Sequence, residues 1–584
     1  MTQEFLGVGK SITYRHWCGP SSSETRLAET FSQTLGVSFL AGLLLSRQNI
    51  PFDKVPSYLN PKIRDLMPDP YDFRDMEIAA KRLFDAIVKT EKIAIFSDYD
   101  VDGTSSASMI KSWLENFQIQ VELYIPDRFT EGYGPNVKAF HSLSKRNDLI
   151  VCIDCGTLAF ESISEANRLG CDVIIVDHHQ GGDKLPDAYA LVNPNRQDET
   201  GSYNYLCAAS VTFMLIVAVN RLARSKGKTT TDAIKFLDLV ALATVADVVP
   251  LIGLNRALVL QGLKVMARRN RKGLKALADI AGMKSFPNCF HLGFLLGPRI
   301  NAAGRISNAK LAVELLTCEN SATAEVLASQ LNDLNTKRKI LERQVFEEAI
   351  DQIENRNDKG CLIWAAGKNW HPGTIGIVAS RIREKFCLPT VIISINENGL
   401  GFGSARSTPD FDIGLNIRKL SEQGYLKSGG GHKMAAGLTL NSSNISESMQ
   451  VLENLISKSD LANRQHLKLQ IDSLISIKAA SLSLIHEVEK LGPFGSGNPS
   501  PRFALANCNV KYLKILKEQH LKLSLCDESK SSLEAIYFNA FQSEAGSTLM
   551  HHRGQNFHFC GSLEINDWGG NQSPLLNIAD VART

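Results

Sequence analysis

The chain has 584 residues, 44% of them apolar and 21% charged, and its 64 basic and 61 acidic residues leave a formal charge of +3. This composition excludes a disordered or fibrous chain and suits three or more folded domains; the even charge announces no nucleic-acid partner, so any basic footprint must be local. Twelve cysteines scattered over this length fit reduced thiols in the cytoplasm better than a disulfide framework.

The N-terminus, Met1-Thr2-Gln3-Glu4-Phe5, lacks a basic stretch followed by an apolar core, so no signal peptide is expected. Phe39–Leu45 is too short to span a bilayer, and the longer Phe236–Leu254 run is interrupted by Asp238, Asp247 and Pro250, so no membrane segment is expected either. Residues 1–74 combine a helical patch near 36–48 with Pro51, Pro56, Pro61, Pro68 and Pro70, and read as an irregular lead-in wrapped on the core.

From 75 to 307, short apolar runs alternate with helical segments, which predicts a doubly wound α/β domain with a parallel sheet. Three runs end in ligand chemistry. Ile93–Phe96 leads into Asp98-Tyr99-Asp100-Val101-Asp102-Gly103, Leu149–Ile153 into Asp154-Cys155-Gly156, and Val173–Val176 into Asp177-His178-His179. Residues just past the strand ends of such a sheet meet in one crevice, so these segments converge although about 80 residues separate the first Asp from the last His. Asp247, after the apolar Leu242–Ala246 stretch, is a fourth candidate, because a carboxylate there is costly without a partner.

Clustered carboxylates raise one another's pKa unless a cation is present. A set of oxygens and imidazole, without paired thiolates, favours Mn²⁺ or Mg²⁺ over structural zinc. There are more carboxylates than one ion needs, so two ions about 3.5–4 Å apart are expected, the arrangement that activates water against a phosphodiester. Three blander readings compete. An EF-hand needs Glu at its twelfth position, and here that residue is Met109. Paired histidines can merely cap the next helix. Cys152 and Cys155 form a C-x-x-C, but no second pair accompanies them and they read as packing residues.

Residues 308–357 contain neither Pro nor Gly, and Leu331, Leu334, Ile340, Leu341, Val345 and Ile350 recur near helical spacing, which predicts a long connecting helix. A second, smaller α/β domain is expected over 358–460. Its glycines, notably Gly401, Gly403 and Gly429-Gly430-Gly431, serve either as tight turns or as amide nests for phosphate, and neighbouring Arg406 and His432 favour phosphate. Residues 464–584 alternate as short strands with Tyr512, Tyr537, Phe538, Phe557 and Phe559 and with Lys511, Lys514, Lys517, Lys522 and Lys530. That suits a small β-barrel, either with core aromatics or stacking bases in the manner of an OB-fold.

The ordered set Asp98–Gly103, Ile153–Gly156, Asp177–His179 and Thr244–Pro250 resembles the four motifs of the DHH phosphoesterases. Gly297–Arg305, Trp370–Ile377, Gly403–Ser407, Gly429–His432 and Leu491–Pro499 are similar to the RecJ exonucleases within that family, over roughly residues 40–510. The resemblance implies a 5′→3′ exonuclease for single-stranded DNA, acting in repair and recombination, with a DHH domain at 75–307, a DHH-associated domain at 358–460 and an OB-fold-like domain at 464–584. It also implies the residue roles. Asp100, Asp102, Asp154, His178 and Asp247 become metal ligands with Asp154 bridging two ions, and Asp98 becomes a ligand or the base that positions water. His179 contacts the scissile phosphate, Arg128, Ser404 and Arg406 hold the 5′-phosphate, and Arg299, Asn301, Arg305, Gly430, Gly431 and His432 line the approach of the strand. A single-strand-binding protein, a helicase and a monomeric state are expected with it. Two rivals share the metal motifs: a DHH phosphodiesterase for oligoribonucleotides or cyclic dinucleotides, which would lack the later motifs, and a non-catalytic DNA-binding or replication scaffold, which would have lost ligands.

Overall fold

The computed structural model describes residues 4–127, 131–132, 134–356, 360–458, 467–568 and 571–584. They form two compact units, Ile63–Ala462 and Met1–Lys62 with Asn463–Thr584.

In the first unit five parallel strands lie in the order Val121–Tyr124, Ile93–Ser97, Leu149–Ile153, Asp172–Val176, Ala190–Val192. Strands Ile93–Ser97 and Leu149–Ile153 are buried at every residue, because helices cover both faces of the sheet. Ile93, Ile95, Val151, Ile153, Ile174 and Val176 join one core with Met76, Ile110 and Val211 from helices on that side. Ala94, Phe96, Ile150, Cys152, Val173 and Ile175 point the other way, against Phe140 and Ile163. Alternate residues therefore serve two cores, which is why the runs show no alternation of polarity.

The register has a consequence for chemistry. Ser97 pairs with Ile153, Ile153 with Val176, and Val176 with Val192, so four strands end flush. The next residues, Asp98, Asp154, Asp177 and Asn193, form one row along the carboxyl edge, tied by Asp98 N–H to Ile153 O (3.3 Å), Asp154 N–H to Val176 O (2.9 Å) and Asp177 N–H to Val192 O (3.0 Å).

The helix Ala208–Ser225 is apolar and long enough to cross a membrane, yet 72% of it is buried inside this unit, as a core helix would be. The expected connecting helix is two helices, Lys310–Thr317 and the 34-residue Ser321–Glu354, divided where the Asn320 side chain caps the second by accepting from Thr323 N–H. A second five-stranded sheet follows, in the order Ser428–His432, Ala435–Asn441, Leu400–Arg406, Thr390–Ile395, Ile363–Lys368. Helices Ile413–Glu422 and Ile445–Ser457 pack on one face and Ile375–Phe386 on the other.

In the second unit, Phe503–Leu516 pairs with both His520–Cys526 and Asn556–Trp568, and Ser532–Tyr537 and Asn571–Arg583 complete a closed barrel. The barrel separates the aromatics. Phe557 and Phe559 are fully buried and Tyr537 nearly so, which makes them core residues, whereas Tyr512 and Phe538 face solvent. Of the lysines, Lys522 is paired with Glu534 at 2.6 Å. The N-terminal segment belongs to this unit and is more ordered than its prolines suggest. Arg15–Cys18 pairs in parallel with Leu467–Gln470, buried Trp17 donates to Asp580 (2.8 Å), and helices Ser22–Leu35 and Phe39–Arg47 follow. A pairing across some 450 residues leaves no local trace in the sequence.

Candidate active site

The flush edge carries the chemistry. Past Asp98 the chain turns into the helix Val101–Glu115, capped by Asp100, whose Oδ1 accepts from Gly103 N–H (3.0 Å). Gly103 permits the approach, since a Cβ there would stand 2.5 Å from Asp98 O. Asp102, in the first turn, is almost wholly buried. Its two oxygens accept from Ala208 and Ala209 N–H (2.7 and 2.8 Å) at the positive end of the helix Ala208–Ser225. Asp154 sits in the left-handed region (φ 59°), and Asp247 closes the helix Leu237–Ala246.

These side chains surround His178, whose Nε2 lies 3.3 Å from Asp154 Oδ1, 3.7 Å from Asp102 and 3.8 Å from Asp247. Three sets of ligand atoms lie within 4.8 Å of one another: Asp98, Asp100, Asp154; Asp102, His178, Asp247; and Asp154, His178, His179. Asp154 and His178 are each shared by two sets, which is the geometry of a bridged pair of ions.

The electrostatics ask for cations. Burial, then the charges of Asp102, Asp100, Asp98 and Asp247, push the Asp154 carboxyl well above the usual carboxylate range. Burial and the same neighbours push Asp247 up to about 9. Asp102 is also raised, by burial more than by Asp100, although His178 and the two amides pull it down. Asp154 Oδ1 is buried and accepts no hydrogen bond among the described residues. Cys152 and Cys155 are free thiols, their sulfurs 3.6 Å apart and turned to main-chain oxygens, so the donors to an ion are oxygen and imidazole. That donor set fits Mn²⁺ or Mg²⁺.

Sequence reasoning missed the residues that hold the histidines. Asp177, although buried, is pulled well below the usual carboxylate range by the His179 ring (Nδ1–Oδ1 2.8 Å) and by the Thr157 hydroxyl (2.6 Å). His179 in turn rises to about 9, the Asp177 bond outweighing its burial. Asn193 and Asn195 donate to the main-chain oxygens of His179 and His178 (2.8 and 2.6 Å). Both asparagines follow Val192 as the aspartates follow their strands; a strand of only three residues, Ala190–Val192, was too short a signal.

The expected substrate contacts separate into groups. Arg128 lies outside the described residues. Asn301 Oδ1 accepts from Val101 N–H (3.1 Å) and so fixes the aspartate turn, while Arg299 donates to Asn332 (3.1 Å) and Leu295 O (2.7 Å). Arg305 reaches Gly373 O (3.1 Å) in the turn that opens the helix Ile375–Phe386; next along, a Cβ on Gly376 would come within 3.1 Å of both Ser404 Oγ and the Arg406 guanidinium. Arg406 is oriented by Ser380 (3.1 Å), Ser404 (3.0 Å) and Ala405 O (2.8 Å). On the second sheet Arg406, Ala435 and His432 form one cross-strand row and Ser404, Gly437 and Gly430 the next. A Cβ on Gly430 would meet nothing within 4 Å, so this glycine leaves open space, whereas at Gly431 it would strike Ala435 O at 2.3 Å. Gly431 is a packing glycine and Gly430 part of a floor.

The family models that match are the DHH family N-terminal domain over residues 92–244, the DHHA1 domain over 358–458 and the RecJ OB domain over 471–580. The single-stranded-DNA-specific exonuclease RecJ of Bacillus subtilis (strain 168) is 35% identical over 553 residues, covering 93% of this chain and 68% of that protein. The chain belongs to the RecJ family. RecJ of Escherichia coli (strain K12) is 31% identical over 530 residues, 87% of this chain and 90% of its own. The crystal structure of RecJ in complex with Mn²⁺ from Thermus thermophilus superposes with a TM-score of 0.80 at 25% identity, covering 97% of this chain and 79% of that one.

Proposed function

We propose that the chain hydrolyses single-stranded DNA from its 5′ end as a metal-dependent exonuclease, as the names of its RecJ relatives indicate for the substrate. The observation that carries the chemistry is the row of carboxylates on the flush sheet edge, with the buried Asp154 Oδ1 lacking a hydrogen bond among the described residues. Two divalent cations, Mn²⁺ or Mg²⁺, held by Asp98, Asp100, Asp102, Asp154, His178 and Asp247, would supply a nucleophilic hydroxide and neutralise the phosphate.

The remaining parts belong to the protein. Asp102, fixed by two amides, and Asp100, fixed by its cap, keep their ligand oxygens in place before substrate arrives. Asp177 orients the His179 ring and stabilises its cationic form beside the scissile phosphate. Asp98 ligates or positions the attacking water. Polarity follows from the continuous contact of Arg305 with the 371–376 turn and of that turn with Ser404 and Arg406. Together they place a guanidinium fork, suited to a terminal phosphate, beyond the metal end of one helix. His432 and the Gly430 floor extend that pocket. The solvent-facing Tyr512 and its neighbouring lysines suit binding to the rest of the strand. A monomer working in the cytoplasm in DNA repair and recombination, with a single-strand-binding protein and a helicase supplying substrate, completes the proposal.

The test is digestion of single-stranded and duplex DNA labelled at either end, with Mn²⁺, Mg²⁺ or chelator. Early release of the 5′ label from single strands, only with metal, is expected; early release of the 3′ label overturns the polarity, and hydrolysis in chelator overturns the metal site.

A further inference from the structure

The helix Gly297–Ile306 passes the metal centre and continues toward a surface with no role so far. Near its middle Asn301 holds Val101 N–H, and a Cβ on Gly304 would lie 3.0 Å from the Tyr99 side chain, so this stretch lines the aspartate turn. Arg305 points one end at the Gly373 turn. At the other end the helix is entered through a π-helical turn, His291–Leu296, seated on the last turn before Asp247: Cβ positions on Gly293 and Gly297 face Val245 (3.5 Å) and Ala246 (3.3 Å).

This turn carries Phe294, and Phe290 lies one helical turn before it. The two rings stack, with centroids 5.4 Å apart and planes at 23°, and they are 73% and 61% exposed. Large aromatic side chains usually bury their area, and π-turns cluster at functional sites. Cations adjoin them. Arg299, one turn beyond, donates to Leu295 O and to Asn332 on the long helix, and Lys339 lies two turns along that helix on the same face as Asn332. Burial and the charges of Arg299 and Arg338 hold the Lys339 ammonium below its usual range, so an anion placed here would relieve the repulsion.

We propose that Phe290 and Phe294, with Arg299 and Lys339, grip the single strand on the side of the metal centre opposite Arg406, the rings stacking on bases and the cations meeting backbone phosphates. Helical rise puts Phe294 and Arg305 on the order of 16 Å apart along the axis, with Asn301 between them. The strand held at its 5′ end by Arg406 therefore crosses the ligands and leaves over the rings. Flat stacked rings beside mutually repelling cations favour nucleic acid over an apolar protein partner, because base stacking tolerates any sequence and phosphates complement the charge. The inference rests on the exonuclease reading.

Binding is measured in chelator, so that no strand is cut, using 5′-phosphorylated oligothymidylates and the full chain. Phe290→Ala with Phe294→Ala should weaken affinity by roughly 5- to 150-fold, the range of one base–aromatic stack. Abasic sugars at the downstream positions should cost the parent the same factor and the double variant little further. Phe294→Trp should keep the parent's affinity, and its fluorescence should be quenched by the oligonucleotide, a readout independent of whether the alanine variant folds. Unchanged affinity in the double variant, unquenched tryptophan, or a loss indifferent to missing bases would overturn the platform and leave the rings to a protein partner. Failure of the parent to cut single strands with Mn²⁺ would instead sink the exonuclease reading.

Discussion

The two sheets of the Ile63–Ala462 unit concentrate opposite charges by different means. The parallel sheet ends four strands at one level and sets carboxylates side by side, so its edge is strained electrostatically until cations bind. The mixed sheet spreads Ser404, Arg406, Gly430 and His432 over two cross-strand rows, and its arginine is already satisfied by Ser380 and Ser404. One site is completed by its ligand; the other is formed in advance. Metal should therefore govern rate and stability together, whereas changes at the mixed sheet should alter substrate preference and little else.

The largest effect is expected at the shared ligand. Asp154→Ala should lower hydrolysis by more than about a thousandfold, about 4 kcal/mol on the barrier, and raise the melting temperature in chelator by removing the most repelled carboxylate. Steady-state kinetics and a thermal melt check both, and activity within about tenfold of the parent would dissolve the contrast between the sheets.

At the mixed sheet, Arg406→Ala should lower kcat/KM on 5′-phosphorylated strands by roughly 10- to 200-fold, about 1.5–3 kcal/mol for a charge-assisted contact. Arg406→Lys should fall between, and a 5′-hydroxyl substrate should respond much less. Equal losses on both substrates would assign Arg406 to general folding.

The pH dependence should separate the sheets further. Asp247 binds its proton more tightly in the folded protein, up to about 9, than when unfolded, near the ordinary carboxylate value. In chelator the folded state thus holds more protons than the unfolded one through this window, and stability should fall as pH rises from about 4 to 9. Added Mn²⁺ should flatten the melting profile, and a chelated protein whose melting temperature climbs with pH across that window would contradict the repulsion. The smallest effect lies in the barrel: Lys514→Ala should lessen the slope of log affinity against log salt for long single strands by about 0.7, read from binding isotherms at several salt concentrations.

Much of the metal site was legible because its signals are local. Asp98, Asp154 and His178 each follow a short buried strand, and strand order need not be known for their ends to meet. What escaped reading depends on partners remote in sequence: the Ala208 and Ala209 amides that fix Asp102, the use of Asn301 to hold Val101, and the Arg15–Cys18 strand paired near residue 468. The barrel aromatics illustrate the same limit. Phe557 and Phe559 alternate as strand residues do, and alternation identifies a face without saying whether that face is core or surface. Phe290 and Phe294 stood outside any recognised pattern, and only their exposure beside Arg299 draws notice.

The central claim is that Asp154 joins two cations on the flush edge. Titrating Mn²⁺ into the parent and into Asp154→Ala, with bound ions counted by calorimetry and strand cleavage followed in the same samples, tests it most directly. The account predicts two ions per chain and cleavage in the parent, with fewer ions and no cleavage in the variant. A variant that still binds two Mn²⁺ and cuts at a rate near the parent's would contradict it.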